Sequence, residues 1–320
     1  MMKRQRIVLA VCCLFYVVLC FPNILLSRDV NTKGASDNRL FELNSIYSYR
    51  HFRFNSVRLP NLQRYYGYAS QYTLGANQFR IKKDITGGLA FFHMDSHVNT
   101  AAIILPAPLI RTAQQIRSDF VFGHVLIPIK PKSPIAIDLI GGYGQSKTNS
   151  YSIISSARQQ FVHGNSSSED WFVSVAALYT NTWKNFIYKG AFSVLHNELD
   201  QKRFTAISNL RSITILPLTN IVTDLIEGVE VGYKLNDKIV PFIDGSLIQV
   251  VQFSNSRPLV TGVLIGTLPE LSLDQNGYQV GGGIGFNFKP VILRVEQLYI
   301  HRGNPYRSHL SRVTLKIAIG

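Results

Sequence analysis

Cysteine and long hydrophobic runs are scarce over most of this sequence. The three cysteines all lie near the N-terminus, at Cys12, Cys13 and Cys20, so the rest of the chain offers no disulfide, zinc–thiolate site or catalytic thiol. Beyond that segment there is no apolar run of about 18 residues or more, which excludes a helical membrane protein. The 15 tyrosines and 19 phenylalanines argue against a disordered chain.

Acidic residues are also few, 19 against 33 lysines and arginines, which gives a net charge of +14 at neutral pH. This surplus predicts an anionic neighbour such as phosphate head groups, lipopolysaccharide or nucleic acid. The basic residues are dispersed and form no arginine-rich or lysine-rich tract, so no nucleic acid partner is expected.

The N-terminal segment has the pattern of a secretory signal peptide. A basic start with Lys3, Arg4 and Arg6 precedes an apolar stretch from Ile7 to Leu19. An uncleaved anchor helix is the alternative, and Pro22 argues against it. We predict a cleaved signal peptide over 1–27, a short periplasmic or pore segment over 28–42, and a β-barrel over 43–320.

One short stretch, YQVGGGIGFNF, separates into two faces when every second residue is read. Tyr278, Val280, Ile284 and Phe288 fall on an apolar face, and the opposite face is mainly glycine. A period of two predicts a β-strand, and the length suits the roughly 9–11 residues of a tilted transmembrane strand. The apolar face is expected to meet lipid, and the glycine face is expected to meet a crowded lumen. The same alternation recurs at 171–179, 185–194, 229–235, 291–300 and 312–320.

Short and long connections alternate along the chain. Short turns are predicted at 81–84, 130–134, 183–185, 236–238 and 289–290, and longer segments at 99–118, 145–170, 200–221, 254–276 and 302–309. Short turns at one end and long loops at the other are typical of outer-membrane barrels. With a weak first strand near 43–54, we predict an all-β, transmembrane, antiparallel up-and-down β-barrel of about 12 strands. Its expected place is the outer membrane of a Gram-negative bacterium, with outer-membrane lipid and lipopolysaccharide as partners.

Several segments resemble the β-domains of autotransporters, the translocator barrels of the outer membrane. The likeness rests on 68–98 as an early hairpin, on 227–250 with its Val240-Pro241-Phe242 strand start, and on 278–302 and 311–320 as closing strands. It implies a twelve-stranded barrel with an N-terminal segment in the pore, built by the outer-membrane assembly machinery.

Two features depart from that family. Only about residues 28–42 separate the predicted signal from the first strand, too few for a folded passenger domain. The chain ends in KIAIG, where family barrels usually end in an aromatic residue. We therefore expect a barrel without a large passenger, acting as a membrane anchor or as a partly plugged pore.

The strand parity places several charged residues on lumen faces. Ion pairs between them could fix a plug or bias ion selectivity, and simple neutralisation within the lumen is the alternative. These candidates are Lys189, Glu230, Lys234, Arg294, Glu296 and Lys316.

The motif HMDSH places His93, Asp95 and His97 on one strand face near the outer rim. An acid–base pair or metal facet there would suit an outer-membrane hydrolase, whereas a polar rim is the simpler interpretation. Ser96 points to the other face, which disfavours a Ser–His pair. No catalytic motif or Cys/His cluster is present, so we expect no enzyme activity, metal or cofactor. A third hypothesis is a surface adhesin that binds an external ligand through its long loops.

Overall fold

The fold is known from a computed structural model that describes residues 40–58, 61–82, 84–104, 109–131, 133–155, 159–209, 212–256, 259–261, 266–267, 276–303 and 306–320. The predicted signal peptide and almost all of the predicted segment 28–42 lie outside these residues. Within the described residues there is no helix long and apolar enough to span a membrane.

All regular structure in the described residues is β-strand. The sixteen strands are β1 Phe41–Arg58, β2 Asn61–Lys82, β3 Ile85–Ile104, β4 Ile110–Pro128, β5 Ile135–Ile154, β6 Gln160–Trp183, β7 Phe186–Gln201, β8 Phe204–Ser208, β9 Ser212–Ile215, β10 Leu218–Tyr233, β11 Ile239–Asn255, β12 Leu259–Thr261, β13 Gly266–Thr267, β14 Gly277–Phe288, β15 Val291–Arg302 and β16 Tyr306–Ile319. The prediction of an all-β chain is confirmed.

Twelve of these strands form one closed antiparallel ring. Each pairs with the next long strand, β7 pairs with β10, β11 pairs with β14, and β16 returns to pair with β1. If directly paired residues are followed around the ring from Tyr49, one direction reaches β6 at Ser167 and the other reaches β6 at Asn181. The two end points lie 14 residues apart on the same strand, which is the stagger of the barrel. Such a stagger tilts the strands from the barrel axis, typically by about 35–45°. The predicted twelve-strand barrel is confirmed.

The four short strands form a side sheet at the rim. β8 pairs with the outer part of β6, where Val162 lies opposite Ser208, and β9, β12 and β13 follow in order. The lower part of β6 pairs instead with β7. The side sheet therefore extends the barrel wall outward on one side.

One end of the barrel carries tight turns and the other carries longer connections, as the alternating connection lengths predict. Several of the predicted long loops, however, are largely β-strand. Tight turns join β2 to β3, β6 to β7 and β14 to β15 at one end. At the other end, the predicted loop 145–170 belongs mostly to β5 and β6, and the predicted loop 99–118 belongs mostly to β3 and β4. The predicted loop 302–309 also shrinks to a short link between Arg302 and Tyr306.

An apolar girdle surrounds the outside of the ring, because side chains alternate between lumen and exterior along each strand. Every strand of the ring contributes at least one exposed large apolar side chain to it. These include Leu43, Leu74, Leu89, Val121, Leu139, Val175, Phe192, Val229, Ile243, Ile284, Val295 and Val313. A closed ring with an apolar exterior buries its own backbone polar groups and leaves no sheet edge in the ring.

The glycine-rich strand β14 follows the predicted division of faces. Tyr278, Val280, Ile284 and Phe288 are exposed on the outside, whereas Gln279 is buried on the inside. A Cβ on Gly283 would overlap both the carbonyl oxygen of Val295 and the Phe242 ring, whose Cζ would lie 2.7 Å away. Glycine is therefore needed there because lumen side chains and a neighbouring backbone pack directly against the strand.

Candidate functional site in the barrel lumen

An ion-pair network lines the lumen toward the end that carries the tight turns. At its centre, Arg294 of β15 donates two hydrogen bonds to Glu230 of β10, from Nη1 to Oε1 at 3.1 Å and from Nη2 to Oε2 at 2.7 Å. The two residues are 64 positions apart in sequence. This forked geometry fixes both side chains more firmly than a single contact would.

The network continues in both directions from this pair. Glu296 accepts a hydrogen bond from Arg294 Nε at 2.8 Å, and Arg312 lies 2.7 Å from the same carboxylate. Lys189 of β7 lies 3.2 Å from Glu230. Side-chain charges from β7, β10, β15 and β16 are thus tied together inside the ring.

Two further acidic residues offset part of the positive charge of this region. Asp244 of β11 lies within electrostatic reach of Arg294 and Arg312. Glu42 of β1 lies 3.8 Å from Lys316 of β16, the strand that closes the ring against it. Arg50 of β1 is also buried and lies within electrostatic reach of Arg312, so the region holds five basic and four acidic side chains and carries one net positive charge when all are charged.

An aromatic ring supports the central arginine. The Arg294 guanidinium lies 3.5 Å from the centre of the Phe242 ring, in the arrangement of a cation–π contact. Phe242 is itself buried, at 6% exposed, above the glycine face of β14. The packing of Phe242 on Gly283 therefore sets the height of Arg294 in the lumen.

The opposite wall of the lumen is aromatic. The rings of Phe92 and Phe120 stack with centroids 4.6 Å apart, and Phe122 contacts both Phe92 and Phe172. All four side chains are 6% exposed or less. The lumen thus has an ion-pair network on β7–β16 and an aromatic cluster on β3–β6, where His124 and Asp138 also meet at 3.0 Å.

A separate ion pair crosses the outer half of the lumen. Arg302 of β15 donates from Nη2 to Asp224 of β10 at 2.6 Å, and both side chains are almost fully buried. β11 and β14 lie between those strands in the ring. The contact therefore crosses the lumen between two strands that are not neighbours in the ring.

Four of the six predicted lumen charges lie in the network, namely Lys189, Glu230, Arg294 and Glu296. Lys316 also lies in the lumen, where it pairs with Glu42. Lys234 instead follows β10 at the tight-turn end, where its backbone N–H donates to the Asn185 carbonyl. Glu42, Asp244 and Arg312 were not predicted, although the parity of Leu43, Ile243 and Val313 would have placed each on the inner face.

The motif residues His93, Asp95 and His97 lie on the exterior of β3. His93 Nδ1 lies 2.7 Å from Asp119, and Asp95 accepts a hydrogen bond from Arg117 at 3.1 Å. His97 stacks on Tyr68, with centroids 4.9 Å apart. Ser96 is fully buried on the inner face, away from these groups. No grouping of metal-binding side chains occurs in the part of the chain that the structure describes.

Solved structures with the same fold are translocator domains, although the sequence matches no protein-family model and no curated protein. The translocator domain of autotransporter NalP from Neisseria meningitidis superimposes with a TM-score of 0.67 and 12% identity, over 88% of this chain and 90% of that one. The transport unit of AIDA-I from Escherichia coli gives 0.53 and 11%, over 92% and 95%. The β-domain of BrkA from Bordetella gives 0.53 and 10%, over 86% and 98%. The resemblance inferred from the sequence is confirmed at the level of the fold.

Proposed function

We propose that this chain is a bacterial outer-membrane β-barrel of the translocator type, without a large passenger, that anchors itself in the membrane and encloses a narrow, partly filled pore. The closed ring and its apolar girdle support a membrane location, because lipid tolerates only backbone whose hydrogen bonds are satisfied internally. Outer-membrane lipid, lipopolysaccharide and the outer-membrane assembly machinery are the proposed partners. The exported chain reaches them through a cleaved signal peptide.

The lumen network is the observation that carries the pore function. Lys189 and Arg294 project inward and both pair with the single carboxylate of Glu230. Fixed charges that line a pore set which ions pass, and here five basic side chains face four acidic ones. We propose that the wild-type pore conducts weakly and distinguishes little between anions and cations. Enzyme activity is not part of the proposal.

Removing one network carboxylate should make the pore select anions. Glu230→Gln leaves Lys189 and Arg294 with one fewer negative partner, so the lumen gains one positive charge. The reversal potential of reconstituted channels across a tenfold KCl gradient should shift toward that of chloride. Glu198→Gln, which makes the same charge change on the outer face of β7, should leave it unchanged.

Two results would contradict the pore function. If the wild-type barrel conducts no current in planar bilayers, membrane anchoring is the only proposed role that remains. Equal reversal potentials for Glu230→Gln and Glu198→Gln would show that the network does not face the ion path.

The side sheet at the rim favours a second candidate function, binding of an external ligand. β5 and β6 continue well past the girdle, and β8 and β9 widen this wall further. Such a surface could carry an adhesin or receptor role on the same anchor. A silent channel, with an intact barrel, would favour this function over the pore.

A further inference from the structure

The exterior of the ring carries a compact basic patch where the first and last strands meet. It consists of His51, Arg53, His301, Arg307 and His309, on β1, β15 and β16. All five side chains point outward, on the same strand faces as the apolar girdle residues Leu43, Val295 and Val313. They lie farther from the tight-turn end than those girdle residues do.

The strand register places the patch residues in two rows. Arg53 lies directly opposite Arg307, and in the next row toward the tight-turn end His51 lies directly opposite His309. Tyrosines border the rows. Tyr66 and Tyr68 lie beside Arg53 and His51 on β2, and Tyr299 lies beside His309 on β15.

Ring contacts position His301 and His309 along one border of the patch. His309 packs on Tyr299 with centroids 5.1 Å apart, and His301 stacks on Tyr278 at 5.2 Å. Tyr66 and Tyr68 remain 53% and 41% exposed. His301 and His309 are therefore positioned by neighbouring rings on an open, half-aromatic surface.

No carboxylate neutralises this surface from its own strands. Over the described residues of β1, β2, β15 and β16 the only acidic side chains are Glu42 and Glu296, and both are buried in the lumen. Like charges directly opposite one another on adjacent strands destabilise a sheet, so Arg53 and Arg307 would gain from an anion between them. An arginine fork matches the geometry of a phosphate group well.

The opposite wall offers a contrast at a similar height. Arg117 and Lys147 are also direct cross-strand neighbours on the exterior, on β4 and β5. There, however, Asp95 accepts a hydrogen bond from Arg117, and Asp119 lies on the same outer face of β4. The carboxylates that neutralise this second pair have no counterpart in the basic patch.

We infer that the basic patch binds the phosphate groups of a phosphorylated glycolipid in the outer leaflet. The inference rests on the proposed membrane location, which puts a surface just beyond the apolar girdle at the level of the lipid head groups. Tyrosines are suited to this level because they have an apolar body and a polar tip. The chemistry recognised is a lipid-borne phosphate, held by Arg53 and Arg307 and flanked by the aromatic rings.

Lipid retention by the full-length protein tests this inference. The protein and its variants would be placed in nanodiscs of neutral phospholipid doped with bisphosphorylated lipid A, or with the same lipid after dephosphorylation. Native mass spectrometry then counts the glycolipids that remain bound after the disc is removed. The double variant Arg53→Gln/Arg307→Gln should retain bisphosphorylated lipid A about tenfold less than wild type. Wild type should also prefer it to the dephosphorylated form.

The matched control is Arg117→Gln/Lys147→Gln. It removes the same amount of charge from the pair that Asp95 and Asp119 neutralise, and it should retain the lipid as wild type does. Equal retention by all three proteins, or no preference for the phosphorylated form, would overturn the inference. Equal competition by inorganic phosphate and by phosphatidylglycerol would overturn the assignment to a glycolipid. A heat-dependent gel shift of each sample shows whether the barrel is folded, so a failure here is distinct from a failure of the proposed function.

Discussion

Arg294→Met should destabilise the folded barrel by about 3–5 kcal/mol, because it leaves buried carboxylates without their main partner. Glu230 would lose both forked hydrogen bonds, and Glu296 would lose one. Both carboxylates are no more than 4% exposed, so water can compensate little of this loss. Methionine fills much of the vacated space and still packs on Phe242, which isolates the electrostatic effect.

Urea unfolding in lipid or detergent, followed by the fluorescence of Trp171 and Trp183, measures this loss. The exposed Arg203→Met is the control, and a change within about 0.5 kcal/mol is expected for it. Adding Glu230→Gln to Arg294→Met should recover part of the lost stability, since one uncompensated carboxylate is removed. An unchanged midpoint for Arg294→Met would show that the network carries no structural energy.

Gly283→Ala should strongly reduce the folded fraction of the protein, whereas Gly285→Ala should not. The two glycines lie on the same face of the same strand, two residues apart. A Cβ on Gly283 would overlap the Val295 carbonyl oxygen and lie 2.7 Å from Phe242 Cζ, but on Gly285 its nearest contact is an ordinary 3.6 Å. Overpacking typically costs about 1–3 kcal/mol, and obstruction by a backbone atom puts Gly283→Ala at the top of that range or beyond.

The proportion of heat-modifiable protein on a gel, after refolding side by side, compares the two glycine variants. Equal folded fractions would mean that β14 tolerates a side chain at its closest approach. In that case the position of Phe242, and with it that of Arg294, is not fixed by the glycine.

The sequence was informative about the barrel wherever apolar and polar residues alternate. The two faces of β14 could be assigned from Tyr278 to Phe288, and the turn at Lys289 and Pro290 marked its end. The outer parts of β5 and β6 were missed because both faces there are polar. Ser146 and Ser118 hydrogen-bond inside the barrel at 2.7 Å, in a stretch whose composition is that of a loop.

The lumen charges could be predicted as a set, but their pairing could not. Parity alone places Glu230 and Arg294 on inner faces. Their contact depends on the register of the strands between them, which links positions 64 residues apart. The basic patch was missed for the same reason, since Arg53 and Arg307 become neighbours only when β16 closes on β1.

Cell fractionation followed by gel electrophoresis tests the central claim most directly. Cells that express the full chain would be separated into periplasmic and outer-membrane fractions, and each fraction would be run heated and unheated. A closed ring in lipid resists detergent until it is boiled, because unfolding must break its strand pairs together. The account predicts an outer-membrane band whose mobility shifts on heating. A periplasmic band with the same mobility in both lanes would contradict it.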